Sequence, residues 1–318
     1  MSIESRIRLR QLRIAIAVHE TGSVRRAAEI LNITQPAATK ALRDLEYQLG
    51  VTLFERSKTG MSSTVFGDKL VEHARIILND VRSSADAIRQ MKEGDTGEIV
   101  VGTLPASAMT IVPLAIADAL KCRPGLHIRL YEGSTAQLVP ALQRGEIDIL
   151  VGRLPPATSY ERVAREVLCD DPNVIVCRTG HLLDISGRIE PAQLLDQDWV
   201  LPDEGSHVRA DLRQFFADFG LSPPEPVLVT SSTVVRLTLV MMTDMIAVLT
   251  RQSAAINAER GLLAILDVGL VAPRAPIVVA TREGAISTPA AEFFIQCLRN
   301  VAGISAPEIA LSESLRQS

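Results

Sequence analysis

Aromatic side chains are scarce in this chain, with one Trp, three Tyr and seven Phe among 318 residues. That scarcity excludes a nucleic-acid surface assembled from stacked aromatic platforms, so any such binding has to rest on helices and cations. Cysteine is nearly as thin: Cys122, Cys169, Cys177 and Cys297 are scattered and form no CxxC. The spacing argues against a disulfide scaffold and a structural zinc site, and leaves reduced, mostly buried thiols as the expectation. The opening residues MSIESRIRLRQL contain no apolar signal core, and no apolar run reaches membrane-spanning length. The expected compartment is therefore the cytoplasm, with no membrane partner. HxxxH, HExxH and GxSxG are lacking too. His127 and His207 thus stand outside any metal-binding or nucleophile-activating signature, and the expectation is no enzyme, no metal and no cofactor.

What is present is an ordinary globular inventory, 47% hydrophobic and 22% charged, enough for sizeable cores in two or three units. The net charge of −4 conceals a split along the chain. Residues 1–92 carry 15 Lys and Arg against 10 Asp and Glu, and the remainder carries 18 against 27. A basic front on an acidic body suits a DNA-binding head.

The first 50 residues read as helices. Leu9, Leu12, Ile16 and His19 recur at three- and four-residue spacing and predict a helix over 9–20. Gly22 supplies a stop and Ser23 an N-cap for a short second helix, 24–31, with Ala27, Ala28 and Leu31 inward. Thr34 caps a third helix, with Pro36 in its first turn, a buried stripe of Ala38, Leu42, Leu45 and Leu49, and Gly50 at its end. Gly60 then separates two extended runs, 52–56 and 61–65, a β-hairpin wing. From 64 or 66 to about 92 runs one polar helix, in which Leu70, Ala74, Ile77, Val81, Ile88 and Met91 alternate by four and three, with Ser84 in the gap. That is a heptad seam for pairing between subunits; a core-facing helix is the alternative.

After a turn-rich break at 93–97 the pattern changes. Strand-like runs 99–102, 127–131 and 147–151 alternate with helices 111–120 and 134–144 as β-α-β-α-β. A second such set has strands 173–177, 199–201, 227–229 and 246–249 with helices 206–219 and 233–242; strand 277–280 and helix 289–301 close it. The expected architecture is two α/β subdomains with a cleft between them. Open sheets of this kind bind ligands outside their strand C-termini, which points to Thr103, Pro105, Ser107, Ser134 and Arg153 in the first subdomain and to Ser206, Thr230 and Ser231 in the second. Each hydroxyl serves equally well as a helix cap. Arg153 suits an anionic effector, a structural ion pair or an interface.

The sharpest signal is a helix-turn-helix over 23–42. A helix that enters the major groove needs a small, polar outer face, and Gln35, Ala37, Thr39, Lys40 and Arg43 provide one. Gln35 can pair with adenine, Ala37 and Thr39 can touch thymine methyls, and Lys40 and Arg43 can reach guanine edges or phosphates. The run Gly22-Ser23, Ala27-Ala28, Leu31, Gln35-Pro36-Ala37, Leu42, Leu45-Glu46, Leu49-Gly50 and Leu53-Phe54-Glu55-Arg56, followed by Thr64-Val65-Phe66-Gly67, resembles the LysR-type regulators.

That resemblance implies a winged helix-turn-helix domain over 7–65, a linker and dimerisation helix over 66–93, and a periplasmic-binding-protein-like effector domain over 97–318. Within the last, subdomain I would cover about 97–162 and 268–304, and subdomain II about 163–267. Ser23, Thr34, Gln35, Pro36, Ala37, Thr39, Lys40 and Arg43 would line the DNA, with Arg56 and Lys58 near phosphates beside the wing. Thr34 and Thr39 stand where the family usually has Ser and keep the hydroxyl. The partners implied are double-stranded DNA, a small-molecule effector, further copies of the chain as dimer or tetramer, and RNA polymerase. Segments 60–67 and 102–109 look closest to members that govern sugar or aromatic-acid uptake and catabolism.

Overall fold

The computed structural model describes residues 7–57, 60–93, 97–154, 160–184, 187–268 and 276–305. Its head is built from α1 (Leu9–Thr21), α2 (Val24–Ile30) and α3 (Gln35–Leu49), then the wing strands β1 (Phe54–Ser57) and β2 (Gly60–Ser63). Cap chemistry sets the breaks. Gly22 closes α1 at φ 61, Ser23 Oγ accepts the Arg26 N–H, and Thr34 Oγ1 accepts that of Ala37. The α1 stripe differs from expectation. Leu9 and His19 are exposed, while Ile14, Ala15 and Val18 are buried. The reason is that α1 packs on α2 and α3 along one side and on the linker helix along another, so its buried face is wider than one stripe and rotated from it.

The wing pairs antiparallel with Phe54 opposite Ser63, a residue or two displaced from the expected runs. The linker helix α4 (Val65–Glu93) starts at a built joint. Thr64 Oγ1 donates to Thr52 O at 2.8 Å and accepts the Gly67 N–H at 3.1 Å. Gly67 is pressed against the wing: a Cβ there would lie 2.1 Å from Leu53 O. Gly67→Ala is therefore expected to cost the head about 3 kcal/mol, near the upper end for overpacking, and to lower the thermal transition followed by circular dichroism. An unchanged melting curve would show that the joint yields freely.

The heptad seam divides. Leu70 packs, partly buried, against the head's own core, and Ala74 is fully buried within the single chain, so the chain's own packing takes up this end of the seam. Farther along, Ile77, Val81 and Ile88 are exposed at 44, 46 and 68%. The Met91 side chain lies outside the described residues.

The sensor follows as β3 (Gly97–Thr103), α5 (Pro105–Ala108), α6 (Ile111–Cys122), β4 (Leu126–Glu132), α7 (Thr135–Gln143), β5 (Ile149–Arg153) and β6 (Val163–Cys169). The second subdomain holds β7 (Asn173–Arg178), β8 (Val200–Leu201), α8 (His207–Asp218), β9 (Leu228–Val229), α9 (Thr233–Met242), β10 (Ala247–Thr250), α10 (Arg251–Glu259) and β11 (Leu263–Ile265). The chain then returns to the first through β12 (Ile277–Arg282) and α11 (Pro289–Ser305).

The first sheet has the order β4-β3-β5-β12-β6, with β4, β3 and β5 parallel and β12 antiparallel to both neighbours. Ile99, Val101, Ile149 and Phe294 centre one face, and Leu142, Leu150 and Ala280 the other. Strand β6 moves the expected boundary at 162/163. It pairs with β12 in the first sheet, so the chain crosses between subdomains at residues 170–172. As an edge strand with no fully buried side chain, it carries no strong apolar pattern. The second set also departs from a simple repeat. Strands β8 and β9 are parallel, and Trp199 bridges Ile246 in parallel, but β7 runs antiparallel to β10 and β11. Trp199, Phe215 and Phe216 fill the core beneath. Among the described residues no helix is long and apolar enough to cross a membrane.

Candidate nucleic-acid interface and effector cleft

On α3 the outward side chains are Gln35, Pro36, Ala37, Lys40 and Arg43, with Thr39 half-buried. Among the described residues, the Lys40 and Arg43 side chains have no hydrogen-bond or ion-pair partner, so both charges remain available to an anion. The α3 N-terminus leaves the Gln35 N–H for an anion, because Pro36 has none and those of Ala37 and Ala38 bond the Thr34 hydroxyl and carbonyl. Tyr47 was not foreseen. It is 89% exposed, seven residues from Lys40 and four from Arg43, on the continuation of the same face. Helical phase alone could have found it.

The wing is fixed to this helix at one point and to the α1–α2 turn at another. Glu46 Oε1 accepts the N–H groups of Leu53 at 2.8 Å and Phe54 at 3.3 Å. Met61 N donates to Gly22 O at 2.8 Å, and Gly60, at φ 139, sits where a Cβ would approach that same oxygen to 2.6 Å. Arg56 projects from β1 in the open, while Lys58 lies outside the described residues. Ser23 is taken up in capping α2.

In the sensor, the first group of site candidates converges on the C-terminal edge of the parallel strands. Thr103 ends β3 fully buried, beside Val151 of β5, and its O accepts the Gly133 N–H that precedes Ser134. Pro105 opens α5; Ser107 is buried, and its hydroxyl has no hydrogen-bond partner among the described residues. Ser134 is exposed and engaged with Gln137, its N–H and hydroxyl both donating to Oε1. The second group forms its own edge: Ser206 caps α8, Thr230 N bonds Leu201 O, and Thr230 Oγ1 accepts the Ser232 N–H. Ser232, not Ser231, caps α9.

What joins the groups is Arg153. It is 6% exposed. Its Nη1 donates to Asn173 Oδ1 at 3.0 Å and its Nη2 to the Asp171 carbonyl, while Asn173 Nδ2 donates to Asp211 Oδ2 at 3.0 Å. One guanidinium thus ties β5 to the crossing segment, to β7 and, through Asn173, to α8. Burial lowers its pKa, with Asp171 and Asp211 pulling it back up. A second buried cation, Arg236 on α9, also 6% exposed, donates from Nη1 to Thr230 O and from Nη2 to Thr233 Oγ1. Its Nε has no partner among the described residues.

The thiols divide two and two. Cys177 and Cys297 are buried, Cys169 is half-buried and Cys122 exposed, which corrects the expectation of mostly buried thiols. Burial pushes Cys177 up to about 12 and Cys169 and Cys297 up to about 11. Ellman's reagent at pH 8 is therefore expected to titrate one thiol rapidly in the folded protein, and Cys122→Ser to remove that phase. Fast reaction of a second thiol would contradict the burial.

Comparison with known proteins agrees with this division of the chain. Residues 9–68 match the family described as bacterial regulatory helix-turn-helix protein, lysR family, and residues 92–303 match the LysR substrate binding domain. The HTH-type transcriptional regulator GbpR of Azospirillum brasilense is 32% identical over 265 residues, covering 81% of this chain and 76% of its own. PcaQ of Agrobacterium fabrum is 28% identical over 302 residues, 95% of this chain and 97% of its own. Among solved structures, CbnR superposes with a TM-score of 0.66 at 23% identity, over 93% of this chain and 99% of that one, and it has also been solved in complex with its target DNA. Full-length BenM gives 0.54 at 24%, over 94% and 98%. With a winged head, a linker helix and a two-part α/β sensor matched in order along nearly the whole chain, the protein belongs to the LysR family of DNA-binding transcriptional regulators with an effector-binding domain.

Proposed function

We propose that the protein acts in the cytoplasm, without catalytic activity, as a dimer or tetramer that sets two α3 helices into successive major grooves and signals to RNA polymerase. The observation that carries this reading is the α3 face itself, where Lys40 and Arg43 stand exposed and, among the described residues, without partners, and the wing is braced to the same helix through Glu46. Gln35, Pro36, Ala37 and Thr39 face base edges, and Thr34 and Arg56 face phosphates. Exposed Ile77, Val81 and Ile88 on α4 supply an apolar row for a second copy.

The effector sits between the subdomains, against Thr103, Ser107, Ser206 and Thr230. An organic acid is the first reading, because Arg236 keeps a buried cation at the second subdomain's edge with its Nε unused among the described residues. A sugar is the second, favoured by the buried hydroxyls of Thr103 and Ser107. DNase footprinting of the region upstream of the protein's own gene and its neighbour tests the DNA reading; no protected site would sink it. Isothermal titration with panels of aromatic acids and of sugars tests the cleft. Affinity for an acid that survives Arg236→Met, or for a sugar that survives Thr103→Val with Ser107→Ala, would refute the corresponding lining.

A further inference from the structure

Helix α4 does not stand clear of its own sensor. Arg75 Nη2 meets Glu20 of α1 at 2.8 Å, and its Nη1 meets Glu146, in the loop after α7, at 3.3 Å. One turn on, Asn79 Nδ2 donates to Arg144 O at 2.7 Å, and Asp80 pairs with Arg282 of β12. A single guanidinium therefore touches the head and the sensor at once, and three further contacts fix the helix to the sensor: Asn79 to the loop after α7, Asp80 to β12, and Arg82 to Glu98 of β3 at 3.6 Å.

The joint is loosely filled, and its α4 side is polar. Two adjoining cavities of about 230 and 200 Å³ open between α4 and the first subdomain, sharing Asn79, Ser83, Gly145, Asp148 and Thr288 in their walls. The isoleucines in the walls, Ile147, Ile149, Ile286 and Ile295, belong to the sensor, while α4 contributes Asn79, Arg82 and Ser83, so apolar packing of the helix adds little to holding it there. Its charged partners are partly solvated, Arg75 at 23% exposure and Glu146 at 40%, and each pair of this kind is worth roughly a two- to fivefold factor in an equilibrium. Together the contacts make a joint that roughly a hundredfold preference of a ligand for one state can open. A well-packed apolar interface would not yield to so small a bias.

We propose that Arg75, Asn79 and Asp80 form a reversible latch between the linker helix and its own sensor, and that opening and closing this latch sets how the head is presented to DNA. Closing aligns head and sensor through Arg75. Opening leaves Arg75 on Glu20 and frees the sensor to swing on the helix.

The geometry supplies its own probe. A Cβ built at Gly145 lies 3.2 Å from Asn79 Cβ, so Asn79→Cys with Gly145→Cys, in full-length protein carrying Cys122→Ser, places two thiols within disulfide reach, at the cost of the Asn79 hydrogen bond and of backbone strain at Gly145, whose φ is 71. With oxidised glutathione, an intrachain crosslink is expected to form readily. Adding Asp80→Arg is expected to slow it at least fivefold, and adding Arg282→Asp to restore the rate by re-forming the pair with reversed charges. The crosslinked and reduced forms are expected to give footprints of different length upstream of the protein's own gene. Equal crosslinking rates in all three backgrounds, or identical footprints, would overturn the latch. Small-angle scattering keeps the test independent of the cysteines: Asp80→Arg alone should lengthen the particle and the reversed pair should shorten it again. An unchanged maximum dimension would count against the proposal.

Discussion

Replacing Arg153 by alanine is expected to destabilise the sensor by about 3–5 kcal/mol, the range for removing one partner of a buried charged network. The guanidinium bonds Asn173 and the Asp171 carbonyl, and its removal strands a buried amide and carbonyl beside the carboxylates of Asp171 and Asp211, both residues nearly inaccessible to water. Urea denaturation would show the loss as an earlier transition with an unchanged slope. Lysine should recover little, since an ammonium on a single stem does not reproduce two N–H groups spread over a planar fork. Wild-type stability combined with lost effector affinity would assign Arg153 to the ligand instead of the junction.

The second large effect falls on DNA. Lys40→Ala combined with Arg43→Ala is expected to weaken operator binding by roughly a hundredfold or more, from about 1–3 kcal/mol per lost base or phosphate contact. Salt dependence separates the two kinds of contact. A lost phosphate contact lowers the slope of log affinity against log salt by about one, whereas a lost base contact relaxes sequence preference and leaves the slope alone. Because both side chains are exposed and without partners among the described residues, thermal unfolding should not move. A double variant that melts early would mean that the face is structural.

How much could be read in advance depended on where the information is stored. The head was legible because its signals are local: Gly22, Ser23, Thr34 and Gly50 act on their own helix ends, and Ala38, Leu42 and Leu45 keep helical phase. Tertiary duties were not. Nothing near Glu46 in sequence says that its carboxylate holds Leu53 and Phe54, and the heptad spacing of Leu70 and Ala74 cannot distinguish a partner subunit from α1. Edge strands hide for a related reason. With neither face sealed, β6 mixes Arg165 and Glu166 with Val163 and Val167, and its pairing with β12 spans more than a hundred residues. At the cleft, strand-to-helix positions could be named, but the bonds of Arg153 to Asn173 and of Arg236 to Thr230 depend on distances that no spacing rule supplies.

The lone tryptophan has a spectroscopic consequence. Trp199 is fully buried in the second subdomain, its indole N–H donating to Leu194 O at 2.9 Å and its ring edge-on to Phe216. The chain has no other Trp. Excited at 295 nm, the whole protein therefore reports on one of its three bodies, and emission should stay blue-shifted while the head melts. A red shift that lags the loss of helical ellipticity would time the two events separately, with no label attached.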